Sequence, residues 1–272
     1  MTVLLQCRLK TINNADSVLS NLTNSQLEMI TTLKLECNDL LFYESSLDTS
    51  TMMINQLKNL HDLKLEFCKI RQIPSHVFGN LNELRQLVIR SHNTDWSTMN
   101  MEFVQDSFTG LHKLKHLDLN NAIAQMADRA FVGLASLQVL NVSSNKLVAL
   151  PPELFQSSRD LKEIYIQNNS INILLSNLHE LTLSHNNLVN NLQIKMLDIS
   201  YNKLHELDEN IMPNSIEVLY LNNNLIKSIK RNTFVKKVNL QRCILFENKI
   251  ESLDLSSLRL GNNINYHELP QF

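Results

Sequence analysis

From residue 30 onward the apolar positions of this 272-residue chain fall in one recurring order. Two apolar residues stand three apart, a third follows two later, an amide comes three after that, and a fourth apolar residue follows two further on. The order is cleanest between Leu137 and Ile171. Leu137, Leu140, Val142, Asn145 and Leu147 make one copy, and Leu161, Ile164, Ile166, Asn169 and Ile171 make the next, 24 residues on. Within a copy the alternation predicts a short strand, with Leu140 and Val142 on one face and Asn141 and Ser143 on the other. A single such strand cannot bury its apolar face. Parallel copies can, each closing the hydrogen-bonding edge of the one before. Asn145 falls where the chain leaves the strand, and an amide there can satisfy backbone groups of its own turn and of the neighbouring one.

The pattern is that of a leucine-rich repeat. It predicts an α/β solenoid: a leucine-rich-repeat horseshoe with a parallel concave sheet of about ten strands and a mostly irregular convex side. Ten copies can be counted. Their third apolar positions are Leu35, Leu65, Ile89, Leu119, Val142, Ile166, Leu183, Ile199, Leu221 and Leu245. The amide position holds Asn in seven copies, and Cys68, His92 and Ala122 in the others. Most intervals are 22 to 30 residues, but Ile166 to Leu183 is 17 and Leu183 to Ile199 is 16. Sixteen residues leave almost nothing for the return segment, so copies seven and eight are expected to be tight or irregular. Phe78, Phe108, Phe131, Phe155 and Phe234 precede successive copies at similar distances, which predicts a stacked aromatic column inside the outer wall.

Residues 1–29 carry little periodicity and read as an N-terminal cap, residues 30–250 as the solenoid, and residues 251–272 as an incomplete last repeat without a C-terminal cap. A repeat stack ending without a polar cap reads as a stretch of a longer array.

Composition removes several function classes. Only four glycines are present, which argues against glycine-rich phosphate loops, and the net charge of −2 gives no basic field for nucleic acid. No apolar run approaches the roughly 18–20 residues that span a bilayer, and Met1 to Leu5 is too short for a complete signal peptide. His112 and His116 have the i, i+4 spacing of a helical metal site, but Leu114 and Leu117 put them in a strand motif. No nucleophile sits in a recognisable elbow. The expectation is therefore no enzyme activity, no metal and no cofactor.

Strand residues facing away from the core form the usual docking surface of such folds. They include Lys34, Glu36, Lys64, Glu66, Val88, Arg90, Asp118, Asn120, Tyr165, Gln167, Tyr220 and Asn222. Mixed charge and two tyrosines suit a protein contact, although the same positions also read as ordinary solvated residues. Three sequons occur, at Asn21, Asn141 and Asn168, and Asn21 is the best placed to carry a glycan. Of the four cysteines, Cys68 and Cys243 read as buried small apolar residues. Spacing leaves open whether Cys7 and Cys37 close a cap disulfide, which would imply an oxidising compartment, or stay apart.

Beyond the generic repeat, YESSLDTST (Tyr43 to Thr51), LEFCKI (Leu65 to Ile70) and IRSHNTDWSTMNME (Ile89 to Glu102, with the lone Trp96) resemble the ectodomain of insect Toll receptors of the long-Toll, eighteen-wheeler-like branch. Ala127 to Phe155, Glu163 to Asn172 and Ile211 to Asn224 are similar to the same family. The resemblance implies a single-pass cell-surface receptor of innate immunity or development with an intracellular signalling domain. It also implies cystine-knot cytokines of the Spätzle type as ligands, and ligand-driven pairing of two horseshoes. By the same resemblance Cys7 and Cys37 match the family's N-terminal cap cysteines. The chain departs from the family by shortening at Asn121 to Met126 and at the two short copies.

Two readings follow. One is a protein-binding segment of a Toll-type ectodomain, contacting a ligand or co-receptor outside the cell. The other is an independent repeat protein, either an intracellular scaffold or a secreted decoy.

Overall fold

A computed structural model describes residues 3–37, 44–45, 47, 53–90, 101–121, 123–150, 157–171, 193–207, 212–230, 232–235 and 237–251. The chain divides into two compact units, Met1–Asn145 and Lys146–Phe272. Each is a leucine-rich-repeat stack of parallel strands.

In the first unit the elements are β1 (Val3–Leu9), a 3₁₀ turn at Ile12–Asn14, α1 (Ala15–Leu19), α2 (Asn24–Met29), β2 (Ile30–Cys37), β3 (Glu44–Ser45), a 3₁₀ turn at Met53–Gln56, β4 (Asp62–Glu66), β5 (Lys69–Ile70), β6 (Gln72–Ile73), β7 (Gln86–Arg90), β8 (Met101–Phe103), β9 (His116–Asp118), β10 (Ile123–Met126) and β11 (Val139–Asn141). Strands β1, β2, β4, β7, β9 and β11 pair in that order, all parallel. The second unit holds β12 (Glu163–Tyr165), β13 (Met196–Asp198), β14 (Glu206–Leu207), β15 (Val218–Tyr220), β16 (Ser228–Ile229) and β17 (Arg242–Ile244). Its strands β12, β13, β15 and β17 pair in that order, again parallel.

Six rungs and four make ten, the number expected, but one of them was not counted and one counted copy is not among them. The cap stretch contributes a rung of its own. Leu5 and Cys7 of β1 lie opposite Leu33 and Leu35, and Ile12 is buried where the last apolar residue of a copy belongs. α2 follows because Thr23 and Gln26 close a reciprocal box: Thr23 N–H donates to Gln26 Oε1 (2.9 Å) and Gln26 N–H to Thr23 Oγ1 (3.4 Å). In the second unit β12 bonds directly to β13, with Ile164 opposite Leu197. The sheet therefore has no rung between copies six and eight. Ile166 and Ile199, 33 residues apart, thus follow neighbouring rungs. Leu178 to Leu188, counted as copy seven, lie outside the described residues, as do Asn38, His92, Trp96, Ala122, Phe155 and residues 252–272.

The amide column is as expected wherever it is described. Asn145, Asn169, Asn202, Asn224 and Asn248 each donate through Nδ2 to the carbonyl three residues back, at 2.7–3.2 Å. In the second unit each Oδ1 accepts a backbone N–H from the preceding turn: Leu147 to Asn169, Ile171 to Asn202, Leu204 to Asn224 and Ile226 to Asn248, at 3.0–3.2 Å. The residue just before the column position takes positive φ in turn after turn: Phe67, Asn121, Ser144, Asn168, Tyr201, Asn223 and Glu247, all between 54° and 61°. Side chains that rarely adopt this conformation accept it because the column bonds on either side fix the turn.

The outer wall of the first unit is more regular than the pattern suggests. β6, β8 and β10 form a second parallel sheet there. The aromatic column holds within it: Phe108 stacks on Phe78 at 6.4 Å and lies 5.6 Å from Phe131. Phe103 of β8, not anticipated, packs on the same ring at 5.2 Å. Gly110, at φ +100°, lets this wall close: a Cβ there would lie 2.8 Å from Gly79 Cα. In the second unit Phe234 is buried beside a buried lysine, Lys237. Its ammonium donates to Met212 O (2.5 Å) and Asn214 Oδ1 (2.9 Å).

The disulfide differs from the one the resemblance implies. Cys37 bonds to Cys68, with Cα atoms 4.8 Å apart, and Cys7 is a buried free thiol. Register explains the difference. Cys7 lies opposite Leu35 and Cys37 opposite Leu9, so the two cysteines are offset by two residues across neighbouring strands. That diagonal separates their Cα atoms by about 8 Å, beyond the roughly 7 Å a disulfide spans. The left-handed turn at Phe67 instead carries Cys68 to the end of β2. Burial raises the Cys7 thiol pKa, which keeps it protonated and inert. Cys68 is thus buried as read, but bridged. Cys243 is buried in β17 as expected. Replacing Cys37 and Cys68 by alanine is predicted to lower stability by about 2–4 kcal/mol for the 31-residue separation, read as a lower urea midpoint.

Candidate protein-docking face

The outward strand residues form two rows in each unit, and the rows have different chemistry. In the first unit one row runs Gln6, Lys34, Lys64, Val88, Asp118 and Asn141, and the other Arg8, Glu36, Glu66 and Arg90. Glu36 and Glu66 face each other across β2 and β4, a like-charge pairing that alone would be unfavourable. Lys34 resolves it: its ammonium lies 2.7 Å from Glu66 and 3.6 Å from Glu36. Arg8 reaches Glu36 at 3.8 Å, Arg90 reaches Glu66 at 3.8 Å, and Arg90 donates to Asp118 at 2.6 Å. The Glu66 hydrogen bond holds the Lys34 ammonium above its ordinary pKa. Past Asp118 the chain of contacts stays polar. Asp118 Oδ1 accepts from Asn120 N–H, Asn120 Nδ2 donates to Ser143 Oγ at 2.6 Å, and Ser143 Oγ donates to Asn141 Oδ1 at 2.6 Å. Five of the expected docking residues, Lys34, Glu36, Glu66, Arg90 and Asp118, therefore bind one another in a continuous ladder. A partner docking here would have to displace charges that are already matched.

The second unit carries different groups. One row runs Glu163, Met196, Val218 and Arg242, and the next Tyr165, Asp198, Tyr220 and Ile244. The Arg242 guanidinium lies over the Tyr220 ring, 5.6 Å from its centroid. Tyr165 donates through its hydroxyl to Glu163 Oε2 at 3.0 Å. Asn222 donates to Asn223 Oδ1 at 2.9 Å. Gln167 Oε1 is buried and has no hydrogen-bond partner among the described residues. Tyr201 and Phe246, at the strand-exit end of the same face, are 53% and 41% exposed. Tyrosine and arginine on a half-buried sheet face, with a phenylalanine at its margin, match the composition that carries binding energy in protein interfaces.

The sequence reading named Tyr165, Gln167, Tyr220 and Asn222 of this surface and missed Asp198, Arg242, Tyr201, Phe246 and, in the first unit, Arg8. Alternation in copies eight and ten would have supplied Asp198 and Phe246. Arg8 required knowing that the cap holds a rung.

Partial burial and the bond to Glu163 push the Tyr165 hydroxyl up to about 12. The raised value favours the neutral phenol in the folded state. Its contribution is complete below the unfolded value near 10 and is lost as pH climbs through 12. A spectrophotometric titration of the folded chain is predicted to show one tyrosine ionising about two units late, and Tyr165→Phe to remove that step.

Of the sequon asparagines, Asn21 is exposed and its Nδ2 donates to Ser17 O at 2.7 Å. Asn168 is exposed at a left-handed turn. Asn141 is half-buried in β11, its Oδ1 engaged by the buried Ser143. His112 and His116 are exposed, in the turn before β9 and in β9 itself, not on a helix. Among the described residues, no helix is long and apolar enough to cross a membrane.

The family described as leucine rich repeat matches residues 102–147 and 135–188, in agreement with the rungs and amide column. The fold of this chain is that of a leucine-rich repeat. Over 142 residues the chain is 36% identical to Toll-like receptor 7 of Drosophila melanogaster, an alignment covering 52% of this chain and 9% of that receptor. It is 30% identical over 230 residues to human lumican, covering 73% of this chain and 64% of lumican. The chain thus spans less than two thirds of either relative. Among solved structures it superposes on the Drosophila Toll–Spatzle complex, glycosylated form, with a TM-score of 0.68 at 20% identity, covering 97% of this chain and 35% of that one. It superposes on a complex of Latrophilin 3, Unc5D and FLRT2 with a TM-score of 0.63 at 18% identity, covering 87% and 74%. At these identities the structural likeness shows the fold alone.

Proposed function

We propose that the chain is a protein-binding segment of a Toll-like cell-surface receptor ectodomain, of the long-Toll branch. It takes a cystine-knot cytokine of the Spätzle type, or a co-receptor, on the strand face of its second unit. The observation that supports this most is the contrast between the two faces. Charge in the first unit is matched internally, whereas Tyr165, Tyr220 and Arg242 in the second present aromatic and cationic groups outward. Similarity to Toll-like receptor 7 supports the receptor class. The Cys37–Cys68 bond supports export over an intracellular scaffold. The role needs no catalytic group, cofactor or nucleic acid in this chain, and ligand-driven pairing of two receptors would supply the signal.

Interferometry with a purified Spätzle-type cytokine tests the reading. Tyr220→Ala with Arg242→Ala is predicted to weaken binding at least about tenfold, in line with losing one hot-spot pair. Arg90→Ala is predicted to change it less than about threefold. Equal losses from both variants, or no binding by the wild type, would refute the assignment. A secreted decoy is the second reading, favoured by the similarity to lumican; a chain that binds the cytokine but never pairs with itself would select it.

A further inference from the structure

One cleft lies away from both rows. It measures about 420 Å³ and is lined by Asn24, Leu27 and Glu28 of α2, by Asn55, Gln56 and Lys58, and by Asn80. Its chemistry is unusual for this chain. Four carboxamides, one carboxylate and one ammonium converge, with the buried Leu27 as the only apolar member. Some exposed charges elsewhere pair, as Lys113 does with Glu83 and Lys195 with Glu217. Here Glu28 and Lys58 share a cleft without pairing. Among the described residues the side chains of Asn24, Glu28, Asn55, Lys58 and Asn80 have no protein partner, and Gln56 donates only to the Met53 thioether, a weak acceptor. Amides that donate and accept side by side, next to a carboxylate and an apolar floor, complement a ligand carrying vicinal hydroxyls and an acetamido group.

Such a ligand has a source three residues away. Asn21-Leu22-Thr23 is a sequon, and three residues of chain reach at most about 11 Å, so a glycan on Asn21 begins beside the cleft wall at Asn24. Asn21 is also held for the purpose. Its Nδ2 donates to Ser17 O at the end of α1, and a glycosylated amide keeps one N–H, so this bond survives attachment and fixes the direction of the linkage.

We infer that the cleft seats the first sugars of an N-linked glycan on Asn21, with the carboxamides and Glu28 binding the acetamido and hydroxyl groups and Leu27 beneath the acetyl methyl. This rests on the chain being exported. Attachment draws on a polyprenyl-pyrophosphate-linked donor and the secretory pathway's transferase. The bond from sugar C1 to the pyrophosphate oxygen breaks, the bond from C1 to Nδ2 forms, the polyprenyl pyrophosphate leaves, and the amide nitrogen gives up one proton to the medium.

The chain is expressed through a eukaryotic secretory pathway behind an added leader, and occupancy at Asn21 is read by mass spectrometry. Folded protein is then treated with peptide N-glycosidase. Release at Asn21 is predicted to be at least about tenfold slower in the wild type than in a Glu28→Ala, Asn55→Ala, Asn80→Ala variant, with equal rates after denaturation. In a glycoform trimmed to one labelled N-acetylglucosamine, the acetyl methyl is predicted to show nuclear Overhauser contacts to the Leu27 methyls, a readout that does not depend on the variant folding. Equal release rates in the folded proteins, absence of the Leu27 contacts, or an unoccupied Asn21 would each overturn the inference. Cytokine binding is read separately on the second unit, so its failure and the failure of the glycan seat are distinguishable.

Discussion

Replacing Asn202 by alanine is expected to lower the unfolding free energy by about 1–3 kcal/mol. Asn202 is buried in the turn after β13. Its Nδ2 donates to Ile166 O at 3.1 Å, Ile199 O at 3.2 Å and Ser200 O at 3.0 Å, while its Oδ1 accepts from Ile171 N–H at 3.0 Å. Alanine strands the Ile171 N–H, which costs about 1–3 kcal/mol; the three carbonyls keep second donors, Asn169 Nδ2 on Ile166 O, Asn224 Nδ2 on Ile199 O and Asn168 N–H on Ser200 O. Asn202→Asp should be at least as damaging near neutral pH. It keeps the acceptor for Ile171 but turns an anionic oxygen toward three carbonyls. Urea denaturation followed by circular dichroism measures both. A loss below about 1 kcal/mol for the alanine variant would mean that this amide does not join two turns.

Phe108→Ala should cost about 3–5 kcal/mol. Phe108 has no exposed surface and touches three other rings, Phe78, Phe103 and Phe131. Its removal opens a cavity in a wall held by two short parallel strand pairings. Phe108→Leu should recover about half, because most of the volume returns while the ring contacts do not. An alanine variant within 1 kcal/mol of the wild type would show that the wall can collapse around the gap, contrary to a packed column.

How legible this was in the sequence depended on whether the information was local. The apolar pairs Leu63 and Leu65, or Leu219 and Leu221, sit in the core because alternation alone decides which face they take. The amides at Asn145, Asn169, Asn202, Asn224 and Asn248 bond as their spacing implied, since one turn fixes one amide. The seat of Phe78, Phe108 and Phe131 followed from their common offset before each copy.

What escaped depended on register, which no single copy contains. β1 was hidden because Cys7 stands where leucine is usual and Lys10 where asparagine is usual. Only pairing with β2 shows it to be a rung. The stretch around Leu183 fits the motif as well as any other, so local pattern admitted a tenth copy. The pairing of β12 with β13 leaves no place for a rung between them. The Cys37–Cys68 bond needed the left-handed turn at Phe67, and a phenylalanine gives no hint of positive φ. The ion ladder from Arg8 to Asp118 was invisible for the same reason. Every member was named or nameable as outward-facing, but which charges meet is set by the relative shift of five strands.

The direct passage from β12 to β13 carries the most weight, because it sets the register of every rung in the second unit. Cysteines placed at Glu163 and Met196, outward-facing partners in the two strands, test it by oxidation in the folded chain. Adjacent strands put these Cα atoms about 5 Å apart, within disulfide reach, so rapid cross-linking is predicted, with no loss of the native circular dichroism spectrum. An intervening rung would separate them by about 10 Å. Failure to cross-link under conditions that bridge Met196→Cys to Val218→Cys would contradict the account.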